Sequence, residues 1–242
     1  MTSKRIAMWS GPRNISTAMM RAWENRPDTC VWDEPLYGPY LHSTGIAHPG
    51  SEAIIADQGR DWRPLVERCV SDAPDGAAVF YQKQMTHHLL PSMDWDWLAA
   101  LDNCFLIRSP EEVLASYRRT RPDATEDDLG IIRQAEIFDH VTRLQSPPLV
   151  IDAKDFLLDP RGMLELVCTV FGLEFDECML SWPPGKRSSD GVWGPHWYDS
   201  VWASTGFERY RPRNVVTPPA YNSLLDTCMP HYERLHALRV RA

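Results

Sequence analysis

Three stretches of this sequence combine cations, hydroxyls and glycine in ways that suit an anion. Gly11-Pro12-Arg13-Asn14-Ile15-Ser16-Thr17 follows a short apolar run and precedes helix-like spacing. Backbone amides at such a strand-to-helix turn, continued by a helix N-terminus, can surround an anion. Arg13 adds charge there, and the Ser16 and Thr17 hydroxyls can donate, although the same two residues would also cap any ordinary helix. The second stretch has Arg108 at the end of the run Phe105-Leu106-Ile107, with Ser116 eight residues further on. Ligands gather at such strand ends in open α/β sheets. A shared ligand requires the local turn to fold back, whereas a solvent-facing arginine and a helical serine need no ligand. The third is Gly185-Lys186-Arg187-Ser188-Ser189-Asp190-Gly191-Val192-Trp193. Its paired cations, hydroxyls and glycines suit a mobile anion clamp, or a solvated surface loop.

Proton transfer needs a base near those cations. Glu34, in Asp33-Glu34-Pro35, directly follows the apolar run Cys30-Val31-Trp32 and is expected at the strand edge facing the first loop. Its plain alternative is a capping or salt-bridged acid, and Asp33 is expected to hold local backbone. A second group, Lys83-Gln84-Met85-Thr86-His87-His88, offers His87 or His88 as base and Lys83 as a cation for a transferring oxygen. Structural histidines and a solvent-facing lysine are the competing reading. No zinc pattern links them to His42, His48 or His196, and no metal is expected. The first loop lacks Gly-Lys-Ser/Thr, which argues against ATP or GTP hydrolysis.

The elements that must position these residues read as short apolar strands alternating with helices. Strands are expected at Lys4 to Trp9, Cys30 to Trp32, Gly76 to Tyr81, Cys104 to Ile107 and Leu149 to Ile151, with a polar turn around Lys83-Gln84. Helical spacing covers Ser16 to Glu24, Trp62 to Cys69, Pro110 to Arg119, Ile131 to Leu144, Pro160 to Phe171 and Tyr221 to Leu238, the last interrupted near Pro230. The Gly45 to Gly59 region is loop-like. This alternation predicts an α/β fold, a three-layer sandwich around a mostly parallel sheet. A Trp-, Pro- and Gly-rich segment, about 181–204, reads as an ordered loop or lid of a single domain. Its tryptophans, with Tyr37 and Tyr40, suggest a compact, partly apolar acceptor site, or an interface in a homodimer.

The net charge of -8 argues against a general nucleic-acid binder, although the chain from Trp182 onward carries eight Lys and Arg against five Asp and Glu. Six scattered cysteines without a CxxC pair read as free thiols in a reducing compartment. No stretch is apolar enough for a membrane span or signal peptide, so no membrane partner and a cytoplasmic location are expected.

The order of the three anion-suited stretches resembles that of sulfotransferases using 3'-phosphoadenosine 5'-phosphosulfate, a family with a P-loop-like nucleotide-binding fold. In that family a loop after the first strand, commonly Pro-Lys-Ser-Gly-Thr-Thr, embraces the 5'-phosphosulfate. Here it reads Pro12-Arg13-Asn14-Ile15-Ser16-Thr17. The resemblance implies that Arg13 takes the lysine's role, and Ser16 and Thr17 those of the threonines. Asn14 and Ile15 complete the loop, Ile15 standing where the family usually has glycine. Arg108 and Ser116 match the family's 3'-phosphate pair, and Lys186 and Arg187 loosely match a late basic segment that closes over the nucleotide. Some members use a glutamate in a Glu-Pro setting as base, as Glu34 would; others use a histidine in Lys-Thr-His, which Lys83 to His88 approaches with two extra residues. The implied activity is a transferase that moves a sulfuryl group from 3'-phosphoadenosine 5'-phosphosulfate to a hydroxyl or amine of a small-molecule acceptor, leaving adenosine 3',5'-bisphosphate. A magnesium-dependent small-molecule kinase and a non-catalytic nucleotide-binding module are the alternatives.

Overall fold

The computed structural model describes residues 3–119, 121–212 and 216–242. Five strands, β1 (Lys4–Ser10), β2 (Thr29–Asp33), β3 (Val79–Met85), β4 (Asp102–Ile107) and β5 (Leu149–Asp152), form one sheet. Their order is β2-β3-β1-β4-β5 and every pairing is parallel. Helices α1 (Ser16–Glu24), α2 (Tyr37–Thr44), α3 (Ser51–Gln58) and α4 (Arg63–Cys69) lie between β1 and β3 in sequence. Then come α5 (Pro110–Tyr117), α6 (Glu126–Leu129), α7 (Ile131–Leu144), α8 (Ala153–Leu158) and α9 (Pro160–Val170). Two single-turn helices, α10 (Gly194–Trp197) and α11 (Asp199–Trp202), precede the C-terminal α12 (Asn222–Ala237).

Strand alternation divides the core into two layers of packing. Ile6 and Met8 of β1 face Met19, Met20 and Trp23 of α1, Phe156 of α8 and Val167 of α9. Ala7 and Trp9 face the other way, onto Val66 of α4, Ile137 and Val141 of α7 and Leu235 of α12. Both faces of the sheet are therefore covered, which is why these strands read as unbroken apolar runs. Asp152 and Asp159 cap α8 and α9 by accepting from their first-turn amides, and Pro110 opens α5.

Three local expectations are corrected. Lys83 and Gln84 are not a turn but the interior of β3. The consecutive polar residues find buried partners: Gln82 donates to the Cys69 carbonyl and Gln84 to Gln82, while Lys83 meets carboxylates. Such a strand has no hydrophobic signature. The loop-like Gly45 to Gly59 region contains α3, and α12 runs unbroken through Pro230.

β1 and β4 are adjacent, yet the connections that leave them lead to opposite sides of the sheet. Their carboxyl ends form the topological switch point at which α/β sheets bind ligands. Gly11 makes the first loop's close approach possible, because a Cβ there would lie 2.6 Å from the Leu129 carbonyl oxygen. Gly11→Ala is expected to destabilise the protein by about 1–3 kcal/mol. Thermal denaturation checks this; an unchanged Tm would mean that the loop does not need the contact.

Candidate active site

A cavity of about 440 Å³ opens at the carboxyl ends of the strands. It is lined by the loop from Pro12 to Thr17, by Glu34 after β2, Lys83 of β3, His87 and His88, and by Arg108 and Ser116 after β4. Two of its residues are non-glycines in the left-handed region, Arg13 at φ 56° and Glu34 at φ 40°. Such positions cost about 1–3 kcal/mol each and persist where surrounding contacts enforce them. At Glu34 the enforcement is visible. Its backbone N–H donates to the Lys83 carbonyl at 2.9 Å, and its carbonyl accepts from Gln58 of α3 at 3.0 Å.

One end of the cavity gathers a positive charge and the N-terminus of α1. No side chain caps the N-terminus of α1 and no acid lies in its first turn, so its leading amides have no intrahelical carbonyl partner. Asn14 shapes the loop rather than serving as a free donor: its Nδ2 donates to the Leu106 carbonyl at 3.0 Å and its Oδ1 accepts the Ile15 N–H at 2.8 Å. Ile15 packs its side chain against the α1 face of the core, which accounts for an apolar residue in a polar loop. Arg13 carries the charge. Burial and the neighbouring Arg119 lower its pKa, but a guanidinium stays protonated. Its Nε is buried without a hydrogen-bond partner among the described residues. Arg108 donates through Nη1 to the Arg13 carbonyl at 2.8 Å and through Nε to Glu112 at 2.9 Å. The β4 arginine thus braces the β1 loop directly, and the turn after β4 brings Ser116 to the same cavity.

Lys186 and Arg187 do not line that cavity. The Lys186 ammonium sits 4.6 Å from the Trp202 ring centre, and Arg187 pairs with Glu24 of α1 at 3.4 Å. Their segment is instead fastened to α1: buried Arg21 meets both Asp190 and Glu24, and Ser189 donates to Glu24. Glu24 of α1 thus takes up the Arg187 charge, while Lys186 rests on an aromatic ring.

The other end gathers titratable side chains. Lys83, 1% exposed, directs its ammonium to Asp33 Oδ1 at 2.9 Å, Glu34 Oε1 at 2.6 Å and the Tyr198 hydroxyl at 2.6 Å. Burial works to lower the Lys83 pKa, but Asp33 and Glu34 outweigh it and hold the lysine charged. Burial raises the Glu34 pKa above the usual carboxylate range against the opposing pull of Lys83. His88 Nδ1 stands 3.9 Å from Glu34 Oε2, beyond hydrogen-bonding distance. His88 stacks on Tyr37 with ring centres 4.4 Å apart, and His87 packs edge-on to it at 4.4 Å. Burial holds the His87 pKa at about 3 and pushes that of His88 well down, so both imidazoles are neutral at pH 7.

These histidines make stability acid-sensitive. Between about 6.5 and 3 the unfolded chain binds a proton at His87 that the folded chain excludes. Stability is expected to fall as pH drops through that window. Melting curves across it should show a shallower decline in His87→Asn; an identical decline would mean other groups dominate.

Trp197 and Tyr198, from the aromatic segment expected at an acceptor site, line the cavity, and so does His48, for which no role there was expected. His48 bonds the Tyr37 hydroxyl at 2.8 Å. Tyr198 lies in the aromatic segment already expected near an acceptor, but nothing in its spacing signals that its hydroxyl reaches Lys83.

Two Arabidopsis thaliana proteins, branched-chain-amino-acid aminotransferase-like proteins 2 and 1, are 29% and 30% identical over 95% and 96% of this chain. The chain spans 41% of the length of each of these curated relatives. Among solved structures, the sulfotransferase domain of the Synechococcus PCC 7002 olefin synthase matches with TM-score 0.60 and 16% identity, over 98% of this chain and 96% of that one. A sulfotransferase from Alicyclobacillus acidocaldarius matches with TM-score 0.57 and 14% identity, over 100% of this chain and 98% of that one. At such identities the two structures speak for the fold alone. The profile of the sulfotransferase domain extends over residues 4–242, from β1 to the C-terminal residue, so the chain belongs to the sulfotransferase domain family.

Proposed function

We propose that the protein transfers a sulfuryl group from 3'-phosphoadenosine 5'-phosphosulfate to a hydroxyl or amine of a small acceptor. The reading rests on one observation: the loop of residues 12–17, the Arg108–Ser116 pair and the buried Glu34–Lys83 pair converge on a single cavity. The residues fit an anionic nucleotide. The uncapped start of α1 and the unpartnered Arg13 Nε are donors waiting for an acceptor. Arg13, Ser16 and Thr17 would hold the phosphosulfate, and Arg108 with Ser116 the 3'-phosphate. When bound, the donor supplies a sulfuryl group already activated on a phosphate leaving group.

The chain's own residues do the rest. Glu34 accepts the acceptor's proton, and its raised pKa brings it closer to the working pH than an exposed carboxylate would be. The two histidines are poorer bases, because burial favours their neutral form. Arg13 faces the charge that develops on the transferred group, where fixed cations are most effective. Tyr37, Trp197 and Tyr198 wall the cavity and exclude water.

Turnover of a labelled donor against a library of small alcohols, phenols and amines tests this. Sulfated product should accumulate together with adenosine 3',5'-bisphosphate. The rate should rise with pH through a limb above the ordinary carboxylate range, as Glu34 ionises. An acid limb that persists unchanged in Glu34→Gln would exclude Glu34 as base. Magnesium-dependent phosphate transfer from ATP would replace the sulfotransfer reading with a kinase.

A further inference from the structure

Lys83 has three donor protons and the fold commits all of them. They go to Asp33 Oδ1, Glu34 Oε1 and the Tyr198 hydroxyl, all within 2.9 Å. A lysine so occupied has no proton left for a ligand oxygen. Its third acceptor comes from the segment that precedes α11, not from the sheet. Tyr198 in turn donates to Asp33 Oδ2 at 2.7 Å and accepts from Trp193 Nε1 at 3.0 Å, while the Gly191 N–H reaches the same Asp33 oxygen at 3.2 Å. Both carboxylates, the ammonium and the phenol are buried. Burial and the two carboxylates raise the Tyr198 pKa well above its ordinary value, so the phenol keeps its proton.

We propose that Tyr198 and Asp33 are positioning residues: they saturate Lys83, fix it on Glu34, and make the base competent only while residues 191–198 are seated. Lys83 then serves the base and takes no part in holding the donor, which leaves Arg13 as the cation for the transferred group. This rests on the reading of Glu34 as the base. Two carboxylates against one buried ammonium make the arrangement sensitive to each partner. Removing the phenol takes from Lys83 one acceptor and from Asp33 the proton it accepts at 2.7 Å, which draws Lys83 toward Asp33. Removing the Asp33 charge turns Lys83 wholly toward Glu34 and deletes a like charge beside it.

The groups facing Glu34 are Asp33 from β2, Lys83 from β3, His88 from the turn that follows it, Tyr37 from α2 and Tyr198. Carboxyl-carbon NMR can follow the Glu34 titration without donor or acceptor, assigned by comparison with Glu34→Gln. The midpoint is expected to rise in Tyr198→Phe and to fall in Asp33→Asn. In turnover the acid limb should move in the same two directions. kcat should fall by about tenfold or more in Tyr198→Phe, with affinity for adenosine 3',5'-bisphosphate unchanged. Midpoints that stay in place overturn the proposal, as does a Tyr198→Phe protein whose lost activity is matched by lost nucleotide affinity. Should Asp33→Asn fail to fold, Tyr198→Phe decides alone. Shifted midpoints in a protein that sulfates no acceptor uphold the positioning role and overturn the proposed activity, so the two failures are distinct.

Discussion

Glu34→Gln is expected to lower kcat by about 10²–10⁴-fold, the range for loss of a general base, while leaving nucleotide binding in place. Glutamine keeps the shape of the side chain, and its amide oxygen can still accept from Lys83. The lysine also retains Asp33 at 2.9 Å, so the substitution does not strand a buried cation. Folding should survive, which makes kinetics the informative readout. The variant's rate should also lose the acid limb that Glu34 imposes on the wild type. A variant that turns over at the wild-type rate would move the base elsewhere, with His88, 3.9 Å from the same carboxylate, the next group to remove.

Arg108→Ala should weaken binding of adenosine 3',5'-bisphosphate by about 10–100-fold, the equivalent of losing one or two charge-assisted hydrogen bonds. Binding of adenosine 5'-monophosphate should change far less. The contrast matters because Arg108 also supports the first loop. Its Nη1 braces the Arg13 carbonyl at 2.8 Å, so some loosening of the first loop will touch every nucleotide. Only contact with a 3'-phosphate makes the loss selective. Calorimetry on both ligands separates the two effects, and equal weakening would reduce Arg108 to a brace.

Much of this was legible in the sequence wherever one residue type answers one physical demand. The apolar runs at Lys4 to Trp9 and Cys104 to Ile107 became the central strands β1 and β4, because a parallel strand covered on both faces favours apolar residues on both. The helices at Ser16 to Glu24 and Ile131 to Leu144 fell at the expected residues, their apolar faces set by contact with that sheet. Polar residues that find partners only through the fold stayed hidden. Lys83 and Gln84 read as a turn because their partners, Asp33, Glu34 and Gln82, become neighbours only when β2 pairs with β3. Lys186 and Arg187 read as an anion clamp because Glu24, which neutralises Arg187, lies far away in sequence. Tyr198 shows the same limit from the other side: its hydroxyl acquires a role through Lys83, 115 positions earlier.

The cavity beneath the first loop is proposed as a site for a nucleotide carrying a 3'-phosphate. The most direct measurement is calorimetry of the wild-type protein with adenosine 3',5'-bisphosphate, beside adenosine 5'-monophosphate, ADP and ATP, with and without magnesium. The account predicts tight binding of the bisphosphate alone, dependent on the 3'-phosphate and indifferent to magnesium. Equal affinity for adenosine 5'-monophosphate, or binding confined to ATP with magnesium, would contradict it.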